Sequence, residues 1–369
     1  MRIIFAGGGT GGHLFPGFAI ARALRRSSPD AVPYFIGALR GVERSVLPAT
    51  EFEYELLDLH PFYRSRPWLN ALTLRGAGSS WRRISQIIRE LSPACLVGTG
   101  GYASGIALAY ATVHKIPFAI QEQNSYPGLT TRFFSRFARQ VHIGFPEAAE
   151  HLSPGRATEV FDSGNPIEPP PNPRPPRGPA KRAWGFPEEA GPVMLVYGGS
   201  QGSKAINQVV AQWISKPLPE GLRIIWATGE RTYDDYKSLE SDKVRIRPFL
   251  APIAEAYAAA DFAITRGGAM ATAELCAWGI PPIVVPLPTA AADHQTANAR
   301  ALAAAGAAEM IAQKDLTPAS LGEAVSRLVS DPSLLAERAR MALQRARPAA
   351  AQTIASRILE MINIKQIPA

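Results

Sequence analysis

Short apolar runs alternate with helical apolar stripes along most of this chain. Ile3 to Ala6 is an unbroken apolar run of strand length, and after it Leu14, Phe18, Ile20, Ala21 and Leu24 recur at helical spacing. Val32 to Ile36, Ala94 to Val97, Pro192 to Tyr197 and Ile280 to Pro286 read as further buried strands. Trp81, Ile84, Ile87, Ile88 and Leu91 fall on one face of a helix, an apolar stripe of the kind that packs in a core. The chain from about Pro332 is rich in alanine and arginine and reads as helical. Strand and helix patterns in alternation predict parallel α/β units with ligands at the carboxyl ends of the strands. One segment interrupts them. From Gly164 to Pro179 proline is too dense for a helix or a central strand, and the stretch is predicted to be a linker. The expected domains are 1–163 and 191–349, joined by residues 164–190.

Glycine loops follow the strands. After Ile3 to Ala6 comes Gly7-Gly-Gly-Thr10-Gly-Gly12-His13, a tight turn opening a helix. Such a turn aims backbone N–H groups and the positive end of a helix dipole at an anion. Gly98 to Gly105 and Gly198 to Ser203 repeat the device, one in each half. A single loop is often only a βα turn; three, split between two domains, predict a cleft that holds phosphates from both sides. Gly7, Gly9 and Gly12 also satisfy the dinucleotide fingerprint. That fingerprint requires an acid at the end of the second strand, and no carboxylate occurs there before Glu43, so NAD is disfavoured. His13 either caps the helix and fills a gap or acts on a ligand, and its place directly after the glycine turn favours the second.

Further along, Asp261 to Gly279 reads as another strand, glycine turn and helix. It carries Glu274, which suits either a polyol such as ribose or a surface acid stabilised by the helix dipole. Between His60 and Arg75 aromatic, aliphatic and basic residues interleave without a clean strand period. This stretch fits a membrane-surface patch or ordinary packing.

Composition narrows the field. With 369 residues, 46% hydrophobic and 19% charged, the chain can bury two ordinary cores. No apolar run approaches the roughly 20 residues of a membrane-spanning helix, and the N-terminus reads as a strand rather than a signal peptide. Cys95 and Cys276 sit in apolar stretches and are expected to be buried packing residues in a cytoplasmic protein. A formal charge of +8 points to an anionic partner. Phosphates and anionic lipid rank ahead of nucleic acid, for which no zinc-finger spacing or aromatic strand signature is present.

Six motifs in one order make the chain resemble a known family. They are Gly7 to Pro16, Gly98 to Gly105, Glu122-Gln-Asn124 with Pro127-Gly-Leu129, Gly164-Asn-Pro166, Gly198 to Gly202, and Asp293-His-Gln295 with Asn298-Ala299. The order is similar to that of the MurG family, the N-acetylglucosaminyltransferases that complete lipid II in bacterial cell-wall synthesis. The resemblance implies an α/β protein of GT-B architecture, two Rossmann-like doubly wound domains facing across a cleft, with the final helix (about 350–369) packed back on the first. It implies an inverting transfer of N-acetylglucosamine from UDP-N-acetylglucosamine to the 4-hydroxyl of MurNAc in lipid I, undecaprenyl-pyrophosphoryl-MurNAc-pentapeptide. It also implies a peripheral place on the anionic cytoplasmic face of the inner membrane, docked near Phe62 to Arg75. His13 becomes the general base. Thr10, Gly11, Gly12, Asn124, Ser200, Gln201, Gly202, Arg266, Ala269 and Met270 fall at donor-side positions. Phe249 and Leu250 fall beside the uracil, Glu274 at the ribose, and Gln295 and Asn298 at sugar hydroxyls. Gly9, Gly100, Gly101, Tyr102, Ser104 and Gly105 fall toward the acceptor pyrophosphate. No Asp-X-Asp pair occurs, so the expected reaction needs no metal and no cofactor, fixed dipoles stabilising the leaving UDP.

The chain departs from the family pattern at four places. Gln121 stands where histidine is usual, Glu168 where an arginine near the donor is usual, Ala271 where threonine is usual, and Ile106 where proline is usual. Losing a cation and a hydroxyl near the diphosphate is expected to weaken donor binding unless Lys204 or Arg266 compensates.

Overall fold

The computed structural model describes residues 1–60, 70–199 and 201–364, without the side chains of 70–75 and 364. The chain forms two compact units, Met1–Ile167 with Ala349–Ala369, and Glu168–Pro348.

The first unit holds a seven-stranded parallel sheet. Its strands are β1 (Arg2–Gly7), β2 (Val32–Ala38), β3 (Glu53–Leu57), β4 (Cys95–Gly100), β5 (Phe118–Glu122), β6 (Gln140–Ile143) and β7 (Glu159–Asp162), in the order β3-β2-β1-β4-β5-β6-β7. Successive side chains of a strand point to opposite faces. Ile3 and Phe5 of β1 therefore join one core with Leu14, Phe18 and Leu24 of the helix Gly11–Ser27. Ile4 and Ala6 join the other, with Ile84, Ile87 and Leu108. Burial on both faces is why β1 is apolar without alternation. The helix Asn70–Leu91 starts within the stretch that lacks a strand period. Residues 61–69, with most of the expected docking segment, lie outside the described residues.

Helix Ala350–Ile364 returns to this unit. Ile354 and Ile358 are fully buried in the core of Phe5 and Leu24. Gln140 donates to the Arg357 carbonyl at 3.0 Å, and the Arg357 guanidinium lies 4.6 Å from the Phe161 ring centroid. Beside it His142 is buried between Ser163 and Gln140, and burial, with Arg357 nearby, pushes its imidazole down to about 3, so it is neutral.

The second unit repeats the plan with six parallel strands, β8 (Val193–Tyr197), β9 (Arg223–Ala227), β10 (Val244–Arg247), β11 (Phe262–Thr265), β12 (Pro282–Val284) and β13 (Glu309–Met310), in the order β10-β9-β8-β11-β12-β13. Cys95 and Cys276 are buried, one in each unit, and burial pushes both thiols up to about 12.

The proline-rich segment corrects the sequence reading. Residues 164–190 include a helix, Arg177–Ala183, and from Glu168 on they belong to the second unit. Arg174 donates to the Ala277 and Trp278 carbonyls at the end of a helix, and Arg177 and Lys181 both pair with Asp261. Phe186 is 2% exposed. Pro176, just before the helix, is extended, and Pro179 lies in the helix's first turn, where its missing N–H costs nothing.

Candidate functional site

In each sheet the strand order reverses beside the first strand, between β1 and β4 and between β8 and β11. Chain leaves those strand pairs in opposite directions and opens a crevice at their carboxyl ends. The three glycine loops lie there.

In the first unit the loops after β1 and β4 meet. Gly7 is in register with Gly100, and Gly8 N–H donates to the Gly100 carbonyl. His13 stands in the first turn of helix Gly11–Ser27, its N–H on the Thr10 carbonyl at 3.2 Å and its Nδ1 3.1 Å from the Thr10 hydroxyl. Thr10 is the N-cap residue, yet its side chain serves the imidazole rather than the helix. His13 is half-buried against the second loop. A Cβ on Gly100 would come 2.7 Å from its Cδ2, and one on Gly101 would overlap the Gly8 carbonyl. Both glycines have positive φ, 98° and 74°. Tyr102 rests on Gly9, and Gly105 borders open space. Thr10 and Gly12 are exposed.

Other sequence assignments move here. Ser104 is fully buried and donates to the Gly101 carbonyl at 3.0 Å, a first-turn bond that braces the loop instead of facing a ligand. Asn124 is held through its N–H and amide by buried Glu122, at 3.0 and 3.3 Å. Gln121 gives its amide to Asn165, whose own amide reaches the Gln123 carbonyl at 2.9 Å, while Gln123 holds the Thr99 carbonyl at 2.8 Å. This buried amide web thus ties the Glu-Gln-Asn and Gly-Asn-Pro motifs to the loop under His13.

Glu43 is the residue that sequence reasoning missed. It is fully buried, and its Oε1 accepts from Gly9 N–H at 2.8 Å and Ala38 N–H at 3.1 Å. The first loop is therefore not an empty anion cradle, because one of its amides already holds a carboxylate. The nearest signal was Glu43 itself, counted only as an acid too late for a ribose.

In the second unit the loops after β8 and β11 line a pocket of about 420 Å³. Of the donor-side candidates, Gly202, Arg266 and Gln295 line it, with Ser203, Lys204 and Ala271. Ser200 lies outside the described residues. Gln201 is exposed, Met270 half-buried and Ala269 buried. The pocket backs onto the helix Lys204–Ile214, capped by the Ser203 hydroxyl on Ile206 N–H. Arg266 spends one nitrogen on the Val285 and Pro286 carbonyls, and burial lowers its guanidinium from its ordinary value. Gln295 accepts from Gly267 and Leu287 N–H at 3.1 and 3.0 Å, which commits its carbonyl and leaves its amide N–H₂ for a hydroxyl.

Asn298 lies one turn beyond Gln295 on the same helix. It is fully buried and donates to the Gly267 carbonyl at 3.0 Å, so it supports the loop that Gln295 also holds. Leu250 likewise belongs to the core, while its neighbour Phe249 is 51% exposed. Glu274 lies on helix Ala269–Trp278 and accepts from the Tyr257 hydroxyl at 2.8 Å; Tyr257 in turn lies 3.2 Å from the Tyr197 hydroxyl. Burial raises the Glu274 carboxyl, the Tyr257 bond lowers it, and nearby Glu168 raises it again.

Residues 3–143 match the glycosyltransferase family 28 N-terminal domain, and residues 193–354 the glycosyltransferase family 28 C-terminal domain. Among curated relatives, the UDP-N-acetylglucosamine–N-acetylmuramyl-(pentapeptide) pyrophosphoryl-undecaprenol N-acetylglucosamine transferase of Salinibacter ruber is 38% identical, over 98% of this chain and 97% of its own length. That of Acetivibrio thermocellus is 35% identical over 93% of each. This chain belongs to the MurG family. The crystal structure of Acinetobacter baumannii MurG superposes with a TM-score of 0.77 at 29% identity, covering 98% of this chain and 99% of that one. CalG4, the calicheamicin glycosyltransferase, superposes at 0.73 with 16% identity over 100% of this chain and 99% of its own, which speaks to fold alone. As a MurG-family member the chain is an N-acetylglucosaminyltransferase with the GT-B pair of parallel-sheet domains.

Proposed function

We propose that this chain transfers N-acetylglucosamine from UDP-N-acetylglucosamine to the MurNAc 4-hydroxyl of lipid I, inverting the anomeric centre, without a metal, at a membrane surface. The observation that carries the reading is His13, held by Thr10 on the Gly100–Gly101 turn at the switch point of the first sheet. With the proton on Nδ1 and the Thr10 hydroxyl accepting it, Nε2 is the basic nitrogen. It takes the acceptor proton as the oxygen attacks C1 from the face opposite UDP, and one displacement inverts the centre. The glycine loops beside it are the acceptor side.

The donor side is the second-unit pocket. Charge growing on the leaving diphosphate meets the Gly198–Gly202 turn, the N-terminus of helix Lys204–Ile214, and the cations Lys204 and Arg266. These replace the arginine and threonine positions held here by Glu168 and Ala271. Among the described residues no group of three His, Cys, Asp or Glu could hold a metal. The test is transfer of labelled N-acetylglucosamine to a short-chain lipid I analogue in excess EDTA. Product is expected at the rate seen without chelator. Loss of turnover on chelation, restored by magnesium, refutes metal independence. Donor binding without product refutes the acceptor assignment.

Membrane docking has support besides the basic stretch near residue 62. Leu129, Phe133 and Phe137 are 56%, 54% and 46% exposed, and the Arg136 guanidinium lies over both phenylalanine rings. Exposed rings under an arginine suit the headgroup region of an anionic bilayer. Among the described residues no helix is long and apolar enough to cross a membrane. We expect the Phe133→Ser, Phe137→Ser double variant to bind phosphatidylglycerol vesicles more than about tenfold less tightly in cosedimentation, each ring contributing on the order of 1 kcal/mol. Unchanged sedimentation would exclude this face.

A further inference from the structure

Glu43 has an environment that the transfer chemistry alone does not call for. It is fully buried, and among the described residues no cation pairs with it. Its Oε1 takes two backbone N–H groups, from Gly9 in the loop after β1 and from Ala38 at the end of β2. Its Oε2 is buried with no hydrogen-bond partner. The chain makes room for it, since a Cβ on Gly8 or on Gly41 would overlap its carboxyl group. Carrying an unpaired carboxyl into a core is unfavourable. What it obtains in return is the position of the first glycine loop.

A short path leads from this carboxyl to the imidazole. Gly9 is fixed by Oε1; the next residue, Thr10, holds His13 through its carbonyl and its hydroxyl. We propose that Glu43 is a positioning residue for His13, its Oε1 occupying the Gly9 amide that a bare glycine loop would offer to phosphate and so setting the turn from which His13 projects. The kinetic part of this inference rests on His13 being the base; the positional part does not. It also follows that the acceptor pyrophosphate does not bind at the Gly9 amide.

Placement and charge can be separated. Glu43→Gln keeps an acceptor oxygen at the same reach and removes the charge. Glu43→Asp keeps the charge and withdraws the oxygen by one methylene. If placement governs, Glu43→Asp moves the His13 ring-proton NMR signals and lowers kcat on the order of tenfold to a hundredfold, the cost of a misplacement near 1 Å. Its KM for UDP-N-acetylglucosamine stays put, and Glu43→Gln retains most of the wild-type kcat and the wild-type signals. Thermal melting of both variants confirms that folded protein is compared. Wild-type signals and kcat in Glu43→Asp would overturn the proposal, as would an active Glu43→Asp beside an inactive Glu43→Gln. Shifted signals with unaltered kcat would uphold the positioning and instead refute His13 as the base.

Discussion

Replacing His13 with alanine lowers kcat on the order of 10²- to 10⁴-fold, the range supplied by a positioned general base, while UDP-N-acetylglucosamine binds as before. The expectation of intact binding follows from the organisation of the fold. His13 belongs to the loop after β1, whereas the candidate donor pocket is built from the loops after β8 and β11. Removing the imidazole should leave the cradle for the leaving group whole. Stopped-time transfer of labelled sugar measures the first quantity and calorimetric titration of the donor the second. Thr10→Val is the companion variant. It removes the hydroxyl 3.1 Å from Nδ1 without touching the ring, so it should cost less than His13→Ala and should not add to it in the double variant, since the two side chains act as one unit. Near-normal turnover in His13→Ala would remove the base assignment. Lost donor binding would show that the residue holds the sugar.

The frame of the protein was legible for a simple reason. Strands buried on both faces must be apolar throughout, and loops that bring backbone close to backbone must be glycine. Runs such as Ile3 to Ala6 and Val193 to Tyr197, each followed by glycines, therefore show both the strands and their carboxyl ends. What the pattern does not show is which polar side chain on a correctly placed helix turns outward. Gln295 and Asn298 are one turn apart and both serve Gly267, yet only Gln295 lines the pocket. Ser104 sits within a loop motif but spends its hydroxyl one turn back. Glu43 was hidden differently: its partners Gly9 and Ala38 lie on other elements, and nothing local distinguishes it from a surface acid. The proline-rich segment misled because composition forbids regular structure only where prolines are dense. Past Pro176, Arg177 and Lys181 fold against Asp261, while Arg174, still among the prolines, reaches the end of helix Ala269–Trp278.

Glu274→Ala should weaken UDP-N-acetylglucosamine binding about tenfold to a hundredfold, because hydrogen bonds to a charged acceptor contribute roughly 1.5–3 kcal/mol and about 1.4 kcal/mol is a factor of ten. The pH dependence is the more discriminating test. Glu274 must be ionised to accept both ribose hydroxyls, and burial holds its carboxyl above the ordinary range, so donor affinity should fall as pH drops toward that raised value. Two neighbours act on it in opposite senses. Tyr257 donates to Oε2 and favours the carboxylate, while the charge of Glu168 opposes it. Tyr257→Phe should therefore raise the carboxyl further and start the acid-side loss of affinity at higher pH. Glu168→Gln should lower it and start the loss at lower pH. The second result has a further meaning, since Glu168 occupies the position where the family usually has an arginine. An anion there works against the carboxylate as well as against the diphosphate, and its neutralisation should tighten donor binding across the neutral range. Calorimetric titrations of the three proteins between mildly acid and neutral pH decide the matter. Opposite displacements identify Glu274 as the ionised acceptor for the ribose; shifts in the same direction, or none, would reassign it to the helix it sits on.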